Sequence, residues 1–395
     1  MSINSTNIAL PLRLTFFIFS MVLNCMGIVI LQLSQENIGY DKLGFLEAFK
    51  DLPIAFISLF AVNFISKVGA KKSLILALII VGICSFILPF VEVFWFYKLW
   101  FAIIGTCFAI GKICVYGIIR NNITVEKSLA KTMNNVEASF MIGIFVVNVG
   151  FGWLIASEYS DYWKFGFMFI SVVSLITIYL LSKITIIEAD KNLENNIFSS
   201  LISFRKTSVI LFFFVIFFIV LTEQSFNSWL PTYYRNHLKV NSFFAIQASS
   251  MLAMFSYIGR IITANVIQRF SLVKYFTFCL LSIMFLLSLI FGIQYFGSDQ
   301  SEISLYLFPI IGLFLSPLYP LINSKMISQI ESQKINTFTS LIVIFSSLGS
   351  SVSSITMSLL FENQILTFYS LYILGAVLII FCLSTFYFKQ DYLKN

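Results

Sequence analysis

Twelve times along this chain a run of roughly twenty apolar residues recurs, each bounded by charged or turn-forming clusters, and few folds can accommodate that pattern. A helix rising about 1.5 Å per residue needs about 20 such residues to cross a hydrocarbon core of about 30 Å. The runs fall at 14–34, 46–65, 73–92, 96–119, 136–156, 163–183, 208–231, 243–265, 274–296, 304–325, 337–360 and 365–387. Because lipid offers no hydrogen bonds to an unpaired backbone, the expected fold is an all-α membrane protein with 12 transmembrane helices. Charged residues make up 11% of the chain, less than half the soluble average of about 25%, which leaves little material for a soluble domain. The first run follows Arg13 without a small-residue cleavage site and so reads as a span, not a removable leader.

The longest polar interruption, "KITIIEADKNLENNIFSSLISFRKTS" at 183–208, separates six runs from six. It predicts two six-helix bundles, 1–190 and 191–395, the second beginning within the central loop. Counting Lys and Arg by alternate loops gives seventeen on the side of the termini and six on the other, Lys50 among the six, so both termini are expected in the cytoplasm of a plasma-membrane protein. The net charge of +7 thus reads as an orientation signal and not as a nucleic-acid surface. All six cysteines lie in apolar runs and His237 is the one histidine, which disfavours a disulfide framework or a zinc site. There is no phosphate-cradling glycine loop, no nucleophile with a histidine base and no nucleotide domain. These patterns argue against an enzyme and against any cofactor. The expected partners are a small-molecule substrate, protons and the lipid bilayer, with no nucleic acid and with the monomer as the functional form. Equal halves around a central loop suit a transporter that rocks around a midplane site.

An ionisable group deep in a span costs at least about 2.5 kcal/mol on insertion scales, so it marks a cavity or a partner. Lys112, inside "CFAIGKICVYGIIRNNI", fits best as a substrate contact, with an internal ion pair as the alternative. Glu223, well into the seventh run, is the proton-site candidate, against a hydrogen-bonding role at the end of its helix. Glu137 and Arg120 stand at facing ends of neighbouring runs, as a gate pair or as a static surface pair. Asn24, Gln32, Tyr116, Asn148, Gln224, Asn227 and Asn323 could hydrogen-bond a polar solute or join helices. Pro309, Pro317 and Pro320 permit bends in the tenth run. Trp95, Tyr162, Trp163, Trp229, Tyr233 and Tyr234 read as anchors at the membrane interface.

Between the second and third runs, "NFISKVGAKKS" resembles the loop signature of the major facilitator superfamily, with Lys67, Gly69, Lys71 and Lys72 fitting and Ser66 standing at the acidic position. A second copy, "GRIITANVIQRFS", supplies Gly259, Arg260 and Arg269, with Gln268 at the acidic position. The resemblance implies the two-bundle facilitator fold and a gating role for Lys67, Gly69, Gly259, Arg260 and Arg269, weakened where the acids are missing. "GLFLSPLYPLI" and "TEQSFNSWLPTYY" are further similar to stretches of the fucose-permease group of sugar:proton symporters, through Gly312, Leu313, Ser316, Tyr319 and Pro320 and through Glu223, Trp229, Leu230 and Tyr233. That group carries an acid late in its first span and a glutamate in its fourth; here the corresponding residues are Ser34 and Lys112. The fifth run has Gly143, Gly150 and Gly152 but lacks the G-x-x-x-G-P pattern of drug antiporters. The resemblance implies proton-coupled symport of a sugar, whereas Lys112 suits a sugar acid or another organic anion better than a neutral sugar. Export of a metabolite or chelator on the same fold is the alternative.

Overall fold

The computed structural model describes residues 5–36, 38–122, 126–187, 207–266, 270–296, 301–328, 335–363 and 365–392, and among the described residues there is no strand. Twelve helical stretches are long and apolar enough to cross a membrane: Ile8–Gln35, Tyr40–Val68, Ala70–Phe90, Phe94–Ile119, Asn135–Ala156, Ser160–Lys183, Thr207–Asn236, Ser242–Thr263, Leu272–Tyr295, Ile303–Asn323, Ser340–Glu362 and Leu366–Gln390. They are numbered spans 1 to 12 below. Span 1 is 83% buried, whereas spans 6, 9 and 12 are each 33% buried and turn residues such as Phe169, Phe285 and Phe386 outward, as lipid-facing helices do.

Two spans are broken. Span 1 consists of Ser5–Asn24 and Met26–Gln35, meeting at Cys25. Span 10 consists of Ser301–Leu315 and Leu318–Ser328, interrupted where Pro317 lacks an N–H. There the Ser316 hydroxyl leaves its own helix and donates to the Ser256 carbonyl of span 8, at 2.7 Å.

Span 2 begins at Tyr40, earlier than the 46 expected from hydropathy. The extension carries Glu47, Lys50 and Asp51, which are 0%, 2% and 3% exposed, with Lys50 Nζ 3.7 Å from Asp51 Oδ1. Lys50 therefore does not belong with the loop lysines. A hydropathy window scores these side chains as solvent-seeking, but a charge that finds partners can be buried. The anchor reading is likewise corrected for Trp163, Trp229, Tyr233 and Tyr234, all buried, while Trp95 and Tyr162 are exposed. Trp229 Nε1 donates to Ser354 Oγ at 3.1 Å, Tyr233 accepts from Gln294 Nε2 at 2.8 Å and Tyr234 donates to the Leu305 carbonyl at 2.7 Å. The polar tips that membrane-interface anchors give to water are here given to neighbouring helices.

The chain groups into two compact units, one of residues 1–25, 49–196 and 336–344 and the other of residues 26–48, 197–335 and 345–395. These do not coincide with the sequence halves. In the first unit, span 4 lies so close to span 2 that a Cβ on Gly105 would sit 2.1 Å from the Lys50 carbonyl oxygen, and a Cβ on Gly143 of span 5 would meet Ser20 and the Phe17 carbonyl of span 1. In the second unit, a Cβ on Gly259 of span 8 would lie 2.2 Å from the Leu313 oxygen of span 10, and one on Gly349 of span 11 would lie 2.3 Å from the Phe217 oxygen of span 7. Small residues let membrane helices approach in this way. The pairs 2 with 4 and 1 with 5 in one unit match 8 with 10 and 7 with 11 in the other. The repeat that the two loop signatures suggest thus recurs as close helix contact.

His237, just past span 7, packs its ring against Tyr233 with centroids 5.1 Å apart. Burial, with the Lys239 charge as a smaller cause, lowers its pKa below the ordinary histidine value. The unfolded chain then takes up a proton before the folded one does, so stability is whole above the ordinary histidine range and declines as pH falls through it. Thermal unfolding of the purified protein is expected at lower temperature near pH 5 than near pH 7.5, with His237→Gln removing part of that difference. A His237→Gln protein with the wild-type slope would remove this assignment.

Candidate functional site

In the first unit the residues of interest lie where spans 1, 4 and 5 meet. Lys112 and Tyr116 are four residues apart on span 4 and so share a face. The Tyr116 hydroxyl donates to Glu137 Oε1 of span 5, and its ring meets Phe16 of span 1 edge-on at 5.8 Å. Phe16 also packs on Phe140, and Phe108 packs on both Phe19 and Phe140. Lys112 Nζ stands 5.6 Å from the centre of the Phe108 ring, a distance at which the ring quadrupole attracts a cation. Among the described residues, Lys112 forms no ion pair. Its ammonium is thus held in a half-buried position against an aromatic face.

The other candidates of this unit are placed apart. Asn24 bonds back to the Ser20 carbonyl of its own helix, at 2.9 Å. Asn148 is buried on span 5, eleven residues beyond Glu137 and therefore about 16 Å along the helix. Glu137 is met by Tyr116, while the side chain of Arg120 lies outside the described residues, so the expected gate pair is not on view. Arg13 Nε donates to Ser139 Oγ at 3.0 Å, one further tie between spans 1 and 5.

In the loop signature, Lys67 is exposed and Gly69 adopts φ 97°, a left-handed conformation that only glycine enters without strain, at the start of span 3. Lys71 is the working base. Its ammonium donates to the carbonyls of Ser182 and Ile184, at 3.0 and 2.6 Å, and so caps the negative end of span 6. In the second copy, Gly259 serves packing, Arg260 is half-buried at the end of span 8, and Arg269 lies outside the described residues.

The second unit holds a polar cluster that the sequence reading missed. Glu47 Oε1 accepts from Ser228 Oγ at 2.9 Å, from Gln224 Nε2 at 3.1 Å and from Ser350 Oγ at 3.5 Å. Gln224 Nε2 also reaches Ser350 Oγ at 3.0 Å, and Asn227 Nδ2 donates to Gln224 Oε1 at 3.4 Å. Glu223, the expected proton site, is half-buried beside Gln224 on span 7. Gln32 Nε2 and Asn323 Oδ1 are buried amide atoms with no hydrogen bond. The missed signal was E-x-x-K-D at 47–51: three ionisable residues at helical spacing directly ahead of an apolar run.

Twelve membrane-spanning helices among the described residues define a multi-pass membrane protein. The chain belongs to the Major Facilitator Superfamily, which it matches over residues 12–354. No curated protein sequence matches it. Among solved structures it is similar to a D-xylose-proton symporter (TM-score 0.76, 11% identity, covering 96% of this chain and 97% of that one). It is also similar to the E. coli fucose:proton symporter (TM-score 0.70, 15% identity, 96% and 98% covered) and to the nucleoside transporter NupG (TM-score 0.72, 13% identity, 95% and 100% covered). Identities this low establish a shared fold and no more.

Proposed function

We propose that the protein is a plasma-membrane symporter with both termini in the cytoplasm, taking up a small polar solute by alternating access with proton coupling. The halves 1–190 and 191–395 are the bodies that rock. The solute is a sugar, a sugar acid or another organic anion, and the anionic classes suit the site better. The observation that carries this reading is Lys112, a half-buried ammonium on a membrane helix, resting on Phe108 and making no ion pair among the described residues. A negative group brought beside it would satisfy a charge that the span holds at a cost. Tyr116, one turn away on the same face of span 4, supplies further hydrogen-bonding capacity. In this reading Glu223 exchanges the coupled proton. The symport named for the xylose and fucose proteins of the same fold agrees with it.

The test is uptake of radiolabelled sugars, sugar acids and carboxylates by proteoliposomes, with and without an imposed inward proton gradient. At least one solute is expected to accumulate only with the gradient, and Glu223→Gln to abolish the accumulation while leaving exchange. Uptake indifferent to the gradient for every solute transported, and unchanged in Glu223→Gln, would exclude the coupling.

A further inference from the structure

Glu47 is a carboxylate with no exposed surface, and donors reach it from two other helices: Gln224 and Ser228 on span 7 and Ser350 on span 11. All four lie in the second compact unit. We propose that Glu47 is a proton-binding site that clasps the start of span 2 to spans 7 and 11 when ionised and loosens when it takes up a proton. The proposal rests on the transporter reading only for the purpose the clasp serves.

The chemistry of the donor set leads to this. Hydrogen bonds to an ionised carboxylate are roughly twice as strong as those to a neutral group. One proton on Glu47 therefore weakens every contact it makes to spans 7 and 11 at the same moment. Two of these donors are serine hydroxyls, which can turn and accept from a protonated carboxyl, so they serve the neutral state as well. Gln224 Nε2 can only donate, and it has Ser350 Oγ as a second acceptor, so it can part from Glu47 without being orphaned. A site that serves both protonation states, and changes the strength of a helix contact between them, is what proton linkage requires.

The same face carries the contacts that such a clasp would govern. Near Glu47, Gly44 leaves so little room that a Cβ would press on Ser358 of span 11. Tyr40 packs on Trp229 and Phe361, and its hydroxyl pairs with the Asn236 amide. The charged groups on the elements concerned are, besides Glu47, Asp41, Lys42, Lys50, Asp51 and, at the far end, Lys67 on span 2, Glu223 and Arg235 on span 7, Glu362 at the far end of span 11, and Glu36 after span 1.

Hydrogen exchange of the full-length protein in lipid nanodiscs, corrected for the intrinsic pH dependence of exchange, reads the clasp without any substrate. Peptides covering 40–48 are expected to exchange on the order of tenfold faster at the acid end of a pH series than near pH 8, the scale set by halving charge-assisted bonds. Glu47→Gln is expected to be fast at both pH values, Glu47→Asp to keep the pH dependence with lower protection, and Glu223→Gln to behave as wild type. Wild-type pH dependence surviving in Glu47→Gln overturns the proposal. So does protection that follows sodium concentration and not pH. If Glu47→Gln does not fold, a pH-independent Glu47→Asp decides against the clasp and a pH-dependent one for it. Failure here leaves the uptake reading standing, whereas a pH-sensitive clasp in a protein whose uptake ignores the gradient removes the coupling and keeps the clasp.

Discussion

Gly105→Ala is expected to lower the thermal midpoint and stability of the folded protein, while the chemically identical change Gly292→Ala leaves it unchanged or raises it. The opposed signs follow from what each new methyl group meets. At Gly105 the Cβ would lie 2.1 Å from the Lys50 carbonyl oxygen and 3.1 Å from its carbon, and a backbone cannot turn aside as a side-chain end can. Spans 2 and 4 must separate there, and the separation loosens the packing around the buried Lys50 and Asp51. Overpacking of this kind costs about 1–3 kcal/mol or more, which outweighs the 0.5–1 kcal/mol, roughly, by which alanine surpasses glycine as a helix former. At Gly292 nothing lies within 4 Å of the new atom, so only the helix-former term acts. Gly259→Ala and Gly349→Ala should follow Gly105, and Gly117→Ala should follow Gly292. The check is the unfolding midpoint of each purified variant, with size-exclusion profiles to record loss of the folded population. Equal midpoints for Gly105→Ala and Gly292→Ala would sink the claim that the repeat is held by close helix contact.

The twelve spans were legible because length and apolarity alone are enough to mark a membrane helix. A bend in span 10 was legible from its prolines, but not which of them would break it: the helix is interrupted at Pro317 and runs on through Pro309. What escaped was decided by partners distant in sequence. Glu47, Lys50 and Asp51 read as a loop to any window that weighs residues singly, and the donors from residues 224, 228 and 350 that help to offset the burial of Glu47 lie far away in sequence. Trp229 and Tyr233 carry the composition of interface anchors, and nothing local announces that Ser354 and Gln294 take their polar atoms inside. Tyr116 was singled out as a solute contact and Glu137 as a gate residue; the hydrogen bond between them could not be read from a separation of twenty-one residues. The loop signature was legible as a pattern but not in its division of labour, since the pattern does not say that Lys71 and not Lys67 reaches the end of span 6.

Lys112→Glu is expected to reverse the charge preference of the site, weakening an anionic ligand by on the order of a hundredfold or more and affecting a neutral sugar far less. The reasoning compares what each side chain does to a ligand already inside the span. A hydrogen bond to a charged group contributes about 1.5–3 kcal/mol, and each 1.4 kcal/mol, roughly, is tenfold in affinity, so loss of the ammonium in Lys112→Ala alone costs an anion about ten- to a hundredfold. The glutamate adds like-charge repulsion in a half-buried position where screening by water is poor, and it cannot use the Phe108 ring, which repels an anion as it attracts a cation. A neutral sugar faces an acceptor group where a donor group stood, a change that its own hydroxyls can absorb by turning. Lys112→Gln separates the two effects, keeping a donor without charge; it should resemble Lys112→Ala toward anions and wild type toward neutral sugars. Calorimetric titration of sugars, sugar acids and carboxylates against the three variants gives the comparison. Unchanged anion affinity in Lys112→Glu, with neutral ligands equally unaffected, would assign Lys112 to helix packing and return the choice of solute to the remaining polar groups.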